Sequence, residues 1–369
     1  MNPLPKLVCV VGARPNFMKI APIYAALKSS RTVDPFLVHT GQHYDEAMKD
    51  LFFRQLGIPE PDIDLGVGSG SHAFQTAQIM QRFEPILDDV APFAVLVVGD
   101  VNSTIACGLV AVKKQLPLIH VEAGLRSFDR TMPEEINRVL TDQISELLFT
   151  TERSAKENLL REGIAEDKIH FVGNVMIDAL FTHLGRSVPA EETLARYGWN
   201  LGAQFGVLTL HRPSNVDDAR TLERLLRTLV MVSRKLPLVF PCHPRTLKMI
   251  ERYGLKGLLA EAEILVTPPL GYLEMLGLVR ASQLVLTDSG GLQEETTALG
   301  VPCLTLRENT ERPVTVSEGT NTVVGTDPDR IWAAVEDTLM TGGKRGRIPP
   351  LWDGRAAERI VRVVEERFL

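Results

Sequence analysis

Two carboxylates stand where apolar runs of the chain end and a third follows a proline, and this set predicts proton-transfer chemistry. Asp100 follows the run Ala94–Val98, Glu122 follows Pro117–Val121, and Glu134 comes directly after a proline. Carboxyl groups gathered in one cleft can act as acids and bases, because burial and mutual repulsion shift their pKa values apart. Simpler roles stay open, since Asp100 can cap the helix that follows it and Glu134 can favour the first turn of a helix.

Basic side chains and a histidine supply the positive charge that an anionic ligand requires. Arg14 follows the first apolar run of the chain, and Lys19 lies shortly after it. His211 ends another apolar run, where it can contact a phosphate, transfer a proton or serve as a structural hydrogen-bonding residue. His243 and Arg245 occupy a similar place and are weaker candidates.

The segment Leu284–Glu295 predicts an apolar strand, a Ser-Gly-Gly turn at Ser289–Gly291 and the start of a helix. Glycines let the backbone approach a bound group, and the N-terminus of a helix offers N–H groups and a positive dipole end. This pattern favours a phosphate. Glu294 and Glu295 are expected in the first turn of the helix, where their charge suits a capping role or contact with sugar hydroxyls better than contact with an anion. The segment therefore predicts a ligand in which a sugar is joined to a phosphate.

Several other chemistries lack their motifs in this sequence. Histidines and carboxylates show no His-x-His or His-Glu-x-x-His spacing, so no metal site is predicted. The four cysteines are widely spaced without a Cys-x-x-Cys pair, which disfavours zinc and redox motifs. Gly12-Ala13-Arg14-Pro15 has one glycine where a dinucleotide fingerprint needs three, and no Gly-x-Ser-x-Gly elbow occurs. We therefore expect no metal and no redox cofactor.

Alternating strand and helix patterns must position these residues. Continuous rather than alternating runs of Val, Ile and Leu indicate strands buried on both faces of a parallel sheet, with ligands at the carboxyl ends of the strands. The repeated order predicts an α/β protein of doubly wound, Rossmann-like domains. A first helix is expected from about Met18 to Ser29. We predict domains at 1–172 and 173–352, hinged near 173–200, and a C-terminal helix at 353–369 that packs back on the first domain.

Length and composition agree with a two-domain enzyme. The 369 residues fit two domains of about 150–200 residues each, and 44% hydrophobic with 23% charged residues is ordinary for a globular protein. A net charge of −6 argues against a broad nucleic-acid surface. Because no apolar run reaches about 18 residues and no signal-peptide pattern precedes the first strand, we expect a cytoplasmic enzyme that binds neither nucleic acid nor membrane.

Eight short motifs follow one another along nearly the whole chain. They are Gly12-Ala13-Arg14-Pro15 with Lys19, Thr40-Gly41-Gln42-His43, Gly99-Asp100, His120-Val121-Glu122-Ala123-Gly124-Leu125-Arg126, Pro133-Glu134-Glu135-Ile136-Asn137-Arg138, Thr209-Leu210-His211-Arg212, Asp288-Ser289-Gly290-Gly291-Leu292-Gln293-Glu294-Glu295 and Thr310-Glu311-Arg312-Pro313. Each motif is modest alone, but their order is specific. In these motifs the chain resembles the non-hydrolysing UDP-N-acetylglucosamine 2-epimerases.

The resemblance implies a fold, a reaction and a set of site residues. The fold is that of the GT-B glycosyltransferases, with the nucleotide sugar between two domains. The reaction is reversible epimerisation at C2 of UDP-N-acetylglucosamine to UDP-N-acetylmannosamine, by elimination of UDP to a 2-acetamidoglucal and re-addition, without a cofactor. The implied catalytic residues are Asp100, Glu122, Glu134 and His211. The implied ligand-binding residues are Arg14, Lys19, Arg138, Ser289, Gly290, Gly291, Glu295 and Arg312, with Glu295 at the ribose hydroxyls.

The resemblance also implies a homodimer and a role in supplying sugars for cell-surface polysaccharides. Gln42 and His43 fall in a loop where some bacterial members bind a second UDP-N-acetylglucosamine as an activator, and Asp45 stands where some of them carry glutamine. Ser214 stands where many members carry glutamate. Activation by substrate therefore stays open.

Rival functions differ in what they do with the same ligand. A GT-B glycosyltransferase would share the fold and the UDP site, but it would leave UDP-N-acetylglucosamine unchanged without an acceptor. A hydrolysing epimerase would release the free sugar. A nucleotide-sugar sensor would bind without turnover, and its clustered carboxylates would then be unexplained.

Overall fold

The continuous apolar runs form two parallel β-sheets in the computed structural model, which describes residues 3–41, 55, 57–199, 204–260 and 262–369, apart from the side chains of Arg14 and Pro15. The chain divides into two compact units, Met1–Thr182 with Pro350–Leu369 (unit 1) and His183–Pro349 (unit 2). The prediction of Rossmann-like, doubly wound α/β domains is confirmed. No helix in the described ranges combines the length and the apolar character needed to cross a membrane.

Unit 1 is built on a seven-stranded sheet with the order β3-β2-β1-β4-β5-β6-β7. The strands are β1 Lys6–Val11, β2 Asp34–His39, β3 Ile63–Asp64, β4 Ala94–Val98, β5 Leu118–Val121, β6 Leu147–Thr150 and β7 Ile169–Phe171. The helices are α1 Arg14–Ser30, α2 His72–Val90, α3 Asn102–Lys113, α4 Pro133–Ile144, α5 Arg153–Arg161, α6 Val175–Leu184, which ends in unit 2, and α16 Ala356–Phe368, with a 3₁₀ turn at Glu166–Lys168.

Unit 2 is built on a six-stranded sheet with the order β10-β9-β8-β11-β12-β13. Its strands are β8 Gly206–Thr209, β9 Leu238–Pro241, β10 Ile264–Thr267, β11 Leu284–Thr287, β12 Cys303–Thr305 and β13 Asn321–Val323. Its helices are α7 Ala190–Ala195, α8 Pro213–Val216, α9 Ala219–Ser233, α10 Pro244–Arg252, α11 Lys256–Ala260, α12 Tyr272–Ala281, α13 Gly290–Leu299, α14 Pro313–Ser317 and α15 Pro328–Thr341.

Burial on both faces explains why the strands are apolar at every position. All five residues of β4 are buried. Neighbouring residues of β8 enter different cores, since Leu208 packs with Leu226 and Phe240 while Val207 packs with Val239 and other side chains of the opposite face. Successive side chains of a strand point to opposite faces, so a sheet covered by helices on both sides needs an unbroken apolar run.

Helix α1 begins earlier than the sequence indicated. The expected start was Met18, after Pro15, whereas the helix begins at Arg14. Proline fits the first turn of a helix because the N–H that it lacks has no partner there in any case. The chain therefore turns from β1 directly into α1, which shortens the connection at the end of β1.

The C-terminal segment belongs to unit 1. The indole N–H of buried Trp352 donates to the backbone carbonyl of Thr151 at 2.9 Å. The side chain of Asp178 on α6 accepts the backbone N–H groups of Ala356 and Ala357 at 3.1 and 2.7 Å, which caps α16. Most of α6 therefore belongs to the compact unit 1. The predicted domain boundary between residues 172 and 173 stays a prediction about where the chain hinges.

Candidate functional site

The predicted site residues of unit 1 lie at the point where the strand order reverses. Strands β1 and β4 are neighbours, and the chain winds away from them in opposite directions, which is where doubly wound sheets bind ligands. Val98 at the end of β4 pairs with Val121 at the end of β5. Asp100 and Glu122 thus follow paired residues, and the sheet brings their backbones to the same edge.

Glu122 combines burial, an ion pair and an unusual backbone. Glu122 is 4% exposed, and one of its carboxylate oxygens pairs with the ammonium group of Lys19, which is 6% exposed. Its backbone lies in the left-handed region at φ 73°, which costs a residue with a side chain about 1–3 kcal/mol. The N–H groups of Glu122 and Ala123 both donate to the carbonyl of Phe149, so β6 helps to hold this bend. The fold therefore sustains backbone strain at a buried, charge-paired carboxylate.

Asp100 is held by a buried arginine. Arg138 on α4 donates to the carboxylate of Asp100 and also to Glu135 at 2.6 Å, and its side chain is 3% exposed. The Asn137 amide adds a hydrogen bond to the backbone carbonyl of Asp100 at 2.9 Å. The structure therefore brings together two predicted site residues, Asp100 and Arg138, through a direct ion pair.

The neighbouring glutamates of α4 take different places. Glu135 is buried, and it accepts the backbone N–H groups of Ser127 and Phe128, each at 2.9 Å, as well as the Ser127 hydroxyl. Glu134 is half-buried in the first turn of α4. Sequence reasoning did not give Glu135 a role, because adjacent residues of a helix point in different directions and the sequence alone does not fix which one faces the loop.

In unit 2, His211 and Asp288 form a dyad at the corresponding reversal, between β8 and β11. The ring Nδ1 of His211 lies 2.8 Å from the Asp288 carboxylate, which is fully buried, while the His211 side chain is 36% exposed. Asp288 also accepts the backbone N–H groups of His211 and Arg212. Burial alone would raise the pKa of Asp288, but the charge of His211 and these hydrogen bonds hold it below its ordinary value. With Nδ1 occupied, the ring presents Nε2 to a ligand.

The Ser-Gly-Gly turn opens α13 as the sequence indicated. Ser289 is the N-cap residue, its backbone N–H donates to the hydroxyl of Thr287 at 2.9 Å, and Gly290 and Gly291 begin the helix. The first N–H groups of a helix have no intrahelical partner, so this turn presents donors to an anion. Gly290 has little room, because a β-carbon there would lie 2.9 Å from a carboxylate oxygen of Glu311.

Arginines surround this turn and are balanced by two buried glutamates. Glu311 pairs with Arg212 at 3.0 Å and Arg307 at 2.8 Å, and Arg312 pairs with Glu294 at 2.7 Å. Burial would raise the pKa of Glu311, but Arg212, Arg312 and Arg307 hold it well below its ordinary value. Buried carboxylates thus hold the three arginines in place, and guanidinium groups of this kind are suited to bind a phosphate.

The placement of Glu294 and Glu295 differs from the expectation. Both lie in the second turn of α13, since the helix already begins at Gly290, and its first turn contains no acidic residue. The conflict between a glutamate and an anion at the helix N-terminus therefore does not arise. Glu295 is 6% exposed, and burial together with the charge of Glu295 raises the pKa of Tyr272 well above its ordinary value.

The remaining candidates take structural positions or lie outside the described residues. His243 caps α10 by accepting the backbone N–H of Arg245 at 3.2 Å, and Arg245 forms an exposed ion pair with Asp217. Gln42, His43 and the side chain of Arg14 lie outside the described residues. Among the described residues, no group of three or more His, Cys, Asp or Glu side chains is arranged to hold a metal ion.

The sequence profile of one family, described as UDP-N-acetylglucosamine 2-epimerase, matches residues 25–365. The chain belongs to the UDP-N-acetylglucosamine 2-epimerase family. The predicted resemblance is thereby confirmed, and the match spans both units.

Individual family members are similar over nearly their full length. The UDP-N-acetylglucosamine 2-epimerase of Methanococcus maripaludis is 42% identical over 97% of this chain and 98% of its own. The UDP-2,3-diacetamido-2,3-dideoxy-D-glucuronate 2-epimerase of Pseudomonas aeruginosa is also 42% identical, over 90% of this chain and 92% of its own. The crystal structure of the Methanocaldococcus jannaschii UDP-GlcNAc 2-epimerase in complex with UDP-GlcNAc and UDP has a TM-score of 0.90 and 42% identity, covering 98% of this chain and 99% of that one.

Proposed function

We propose that this protein interconverts UDP-N-acetylglucosamine and UDP-N-acetylmannosamine by inverting C2 of the sugar. The observation that carries the proposal is the full-length, 42% identity to the M. maripaludis epimerase and to the M. jannaschii enzyme whose crystals contain UDP-GlcNAc and UDP. The buried carboxylates of unit 1 and the anion-binding turn of unit 2 supply the two kinds of group that the reaction needs.

The chemistry explains why a base and an anion site must cooperate. The C2 proton of the sugar does not lie next to a carbonyl, so its direct removal would be very slow. When the C1–O bond breaks, its electron pair leaves with UDP, and the positive charge that develops at C1 acidifies the C2 proton. A carboxylate takes that proton, and a 2-acetamidoglucal and UDP result. Protonation of C2 on the other face and re-addition of UDP complete a redox-neutral inversion.

In this proposal, unit 1 moves the proton. Glu122, Asp100 and Glu134 are the candidate acids and bases, and which of them serves each face of the sugar stays open. Glu122 is best placed by its burial and strained backbone, and the charge of Lys19 offsets the cost of burying it. Arg138 fixes the carboxylate of Asp100 and contributes to ligand binding through that contact.

Unit 2 holds UDP in this proposal. The backbone donors of Ser289, Gly290 and Gly291 bind the diphosphate, assisted by Arg312. His211, oriented by Asp288, donates to the departing phosphate oxygen through Nε2. Glu295, in the second turn of α13, accepts hydrogen bonds from the ribose hydroxyls. Arg14 and Lys19 are proposed to add positive charge from the first unit, and Gln42 and His43 a site for a second substrate molecule.

A second substrate is favoured by one specific relative. The P. aeruginosa enzyme acts on a UDP-linked diacetamido uronate, and its identity to this chain equals that of the M. maripaludis enzyme. The reaction at C2 would be the same, so the catalytic carboxylates do not discriminate between the two sugars. A comparison of kcat/KM for the two substrates is needed to decide between them.

The decisive experiment incubates the protein with UDP-N-acetylglucosamine alone in deuterated water. We expect UDP-N-acetylmannosamine with deuterium at C2, because the base exchanges the abstracted proton with solvent. Asp100→Asn should abolish most of this labelling while UDP affinity is kept. Recovery of unlabelled substrate only would refute epimerisation, and consumption that requires an added acceptor sugar would indicate a GT-B glycosyltransferase instead.

A parallel incubation with UDP-2,3-diacetamido-2,3-dideoxy-D-glucuronate tests the choice of sugar. We expect a lower kcat/KM for this compound than for UDP-N-acetylglucosamine. The opposite order would change the assigned substrate and leave the reaction class intact.

We further propose that the protein is a homodimer that uses one face of unit 1. Helices α2 and α4 border a groove lined by side chains that include Met80 and Ile136, and Phe74, Ile136 and Leu140 are 50%, 46% and 50% exposed. Exposed apolar side chains grouped in this way are typical of a surface that is covered by a partner. A second copy of the chain is the partner that the family resemblance implies.

The mass in solution tests this surface. Ile136→Asp should shift the protein from dimer to monomer in sedimentation experiments, whereas Met340→Asp in unit 2, at a residue 79% exposed, should not. A monomeric wild-type protein would contradict the proposal.

We infer a cytoplasmic location and a role upstream of cell-surface polysaccharides. All four cysteines are buried and unpaired, which fits a reducing compartment.

A further inference from the structure

A fully buried histidine lies behind the proposed catalytic carboxylates, and both of its ring nitrogens face acceptors. His120 on β5 is 0% exposed. Its Nδ1 lies 2.7 Å from the carboxylate of Asp142, and its Nε2 lies 2.8 Å from the backbone carbonyl of Gly99. A carbonyl oxygen only accepts, so Nε2 must carry a hydrogen.

The contacts of Asp142 hold the other ring nitrogen. The second carboxylate oxygen of Asp142 accepts from the backbone N–H of Gly124 at 3.1 Å and pairs with Arg126 at 2.7 Å. Arg126 is paired in turn with Glu162. The first carboxylate oxygen lies 2.7 Å from Nδ1, so one hydrogen bond joins the two side chains.

The polar groups around His120 are all hydrogen bonded. Asp142 contacts both His120 and Arg126, and Arg126 extends to Glu162 at the surface. Each of the three buried side chains therefore has partners, which is the condition under which buried polar groups persist.

His120, Asp142 and Arg126 form a cluster that contacts the turn preceding Asp100 through a hydrogen bond from His120 to Gly99. Gly99 lies in the left-handed region at φ 69°, and a β-carbon there would lie 2.8 Å from the Lys19 ammonium nitrogen. The Gly99 N–H donates to the carbonyl of Val121 at 3.0 Å, and its own carbonyl is taken by His120. The turn is thus fixed on both sides of the peptide that leads into Asp100.

Both supports of Asp100 trace back to one face of α4. Arg138 holds the Asp100 carboxylate, and Asp142, four residues further along the helix, holds His120. Residues spaced by four lie one above the other on a helix. Helix α4 therefore positions the side chain of Asp100 directly and the preceding peptide through the ring of His120.

We propose that His120 is a positioning residue that fixes Asp100 for proton transfer through the Gly99 carbonyl. It touches neither substrate nor reacting atoms. The inference rests on the proposed function, because it takes Asp100 to be a catalytic group.

The first test observes the wild-type protein. Nitrogen-15 NMR of the histidine side chains should show a hydrogen on Nε2 of His120 that exchanges slowly with solvent, because the ring is fully buried and Nε2 faces the Gly99 carbonyl. His170, which is partly exposed, is the internal contrast and should exchange its ring hydrogen faster. A bare Nε2 at His120 would overturn the proposal even if no variant folds.

The second test compares two variants that each keep one half of the contact. The amide nitrogen of His120→Gln reaches about where Nε2 lies and can still donate to Gly99, whereas that of His120→Asn lies near Nδ1 and can contact only Asp142. We expect His120→Asn to lower kcat about 10- to 100-fold with little change in KM, because a small misplacement of a catalytic group costs that much. His120→Gln should recover much of the loss, and His170→Asn should have no effect.

The outcomes separate this inference from the proposed function. A wild-type protein that does not epimerise refutes the function, whatever the state of His120. A wild-type protein that epimerises, combined with equal losses of kcat in the Gln and Asn variants or with losses confined to KM, refutes the positioning role alone.

Discussion

The two units share a strand order but place opposite chemistry at the same point of it. The six-stranded sheet of unit 2 repeats the order of the first six strands of unit 1, and in both the candidate site residues follow strands at the reversal of that order or, for Glu122, the next strand, β5. Unit 1 has carboxylates there, each held by a buried cation, namely Glu122 by Lys19 and Asp100 by Arg138. Unit 2 has a half-exposed histidine and an arginine cluster. In the proposed function, the fold supplies the position, and a few residues decide whether that position transfers protons or binds anions.

The largest effect expected from this comparison is a loss of kcat when a carboxylate of unit 1 is replaced. Glu122→Gln removes a proposed acid or base, so kcat should fall about 10²–10⁴-fold. UDP affinity should change little, because unit 2 is proposed to hold UDP. Steady-state kinetics and calorimetric titration with UDP provide the two readings.

Glu146→Gln is the matched control, since Glu146 forms exposed ion pairs with Lys168 and Arg367 in the same unit. A loss of UDP affinity in Glu122→Gln without a loss of kcat would reverse the roles that we give to the two units.

The next effect is on the stability of unit 2. Glu311→Gln leaves the cluster of Arg212, Arg307 and Arg312 without its main counter-charge and should lower the free energy of unfolding by about 3–5 kcal/mol at neutral pH. The pKa of Glu311 is lower in the folded than in the unfolded protein, so its contribution is present above the unfolded value of about 4.3 and is lost as the pH falls through the folded value.

Chemical unfolding at neutral and acidic pH checks this expectation. The difference between wild type and Glu311→Gln should shrink as the pH falls below about 4.3. A difference that stays constant or grows with acidification would show that Glu311 acts through packing rather than through charge.

The smallest effect expected is on ligand affinity at the turn. Gly290→Ala places a β-carbon 2.9 Å from Glu311 and disturbs the donors at the start of α13, so UDP should bind about tenfold more weakly, which corresponds to about 1.4 kcal/mol. Gly257→Ala is the control, since nothing lies within 4 Å of a β-carbon at that position. Unchanged UDP affinity in Gly290→Ala would remove the turn from the proposed binding site.

Sequence reasoning located the strands well, because burial on both faces leaves an unmistakable apolar run. The bounds of Ala94–Val98 and Leu284–Thr287 agree with the structure. Helix starts were less predictable, as Arg14 and Gly290 show. Both helices begin at residues that sequence patterns associate with turns.

The same reasoning found residues at strand ends but not the partners that hold them. It placed His211 at a strand end, yet the role of Asp288 depends on the pairing of β8 with β11, two strands far apart in the chain. Glu311 and Glu294 were part of recognised motifs, but their contacts with arginines arise from tertiary packing. Local patterns predict positions, whereas pairing between distant segments requires the three-dimensional structure.

The packing of Pro350–Leu369 on unit 1 has a consequence for folding during synthesis. Unit 2 is continuous in sequence, so all its residues are available to one another before the last segment of the protein is synthesised. Unit 1 must wait for Trp352 and α16, which pack against residues made much earlier. On the ribosome, unit 2 can therefore fold first, whereas the N-terminal part of unit 1 is completed only after residues 350–369 have been synthesised.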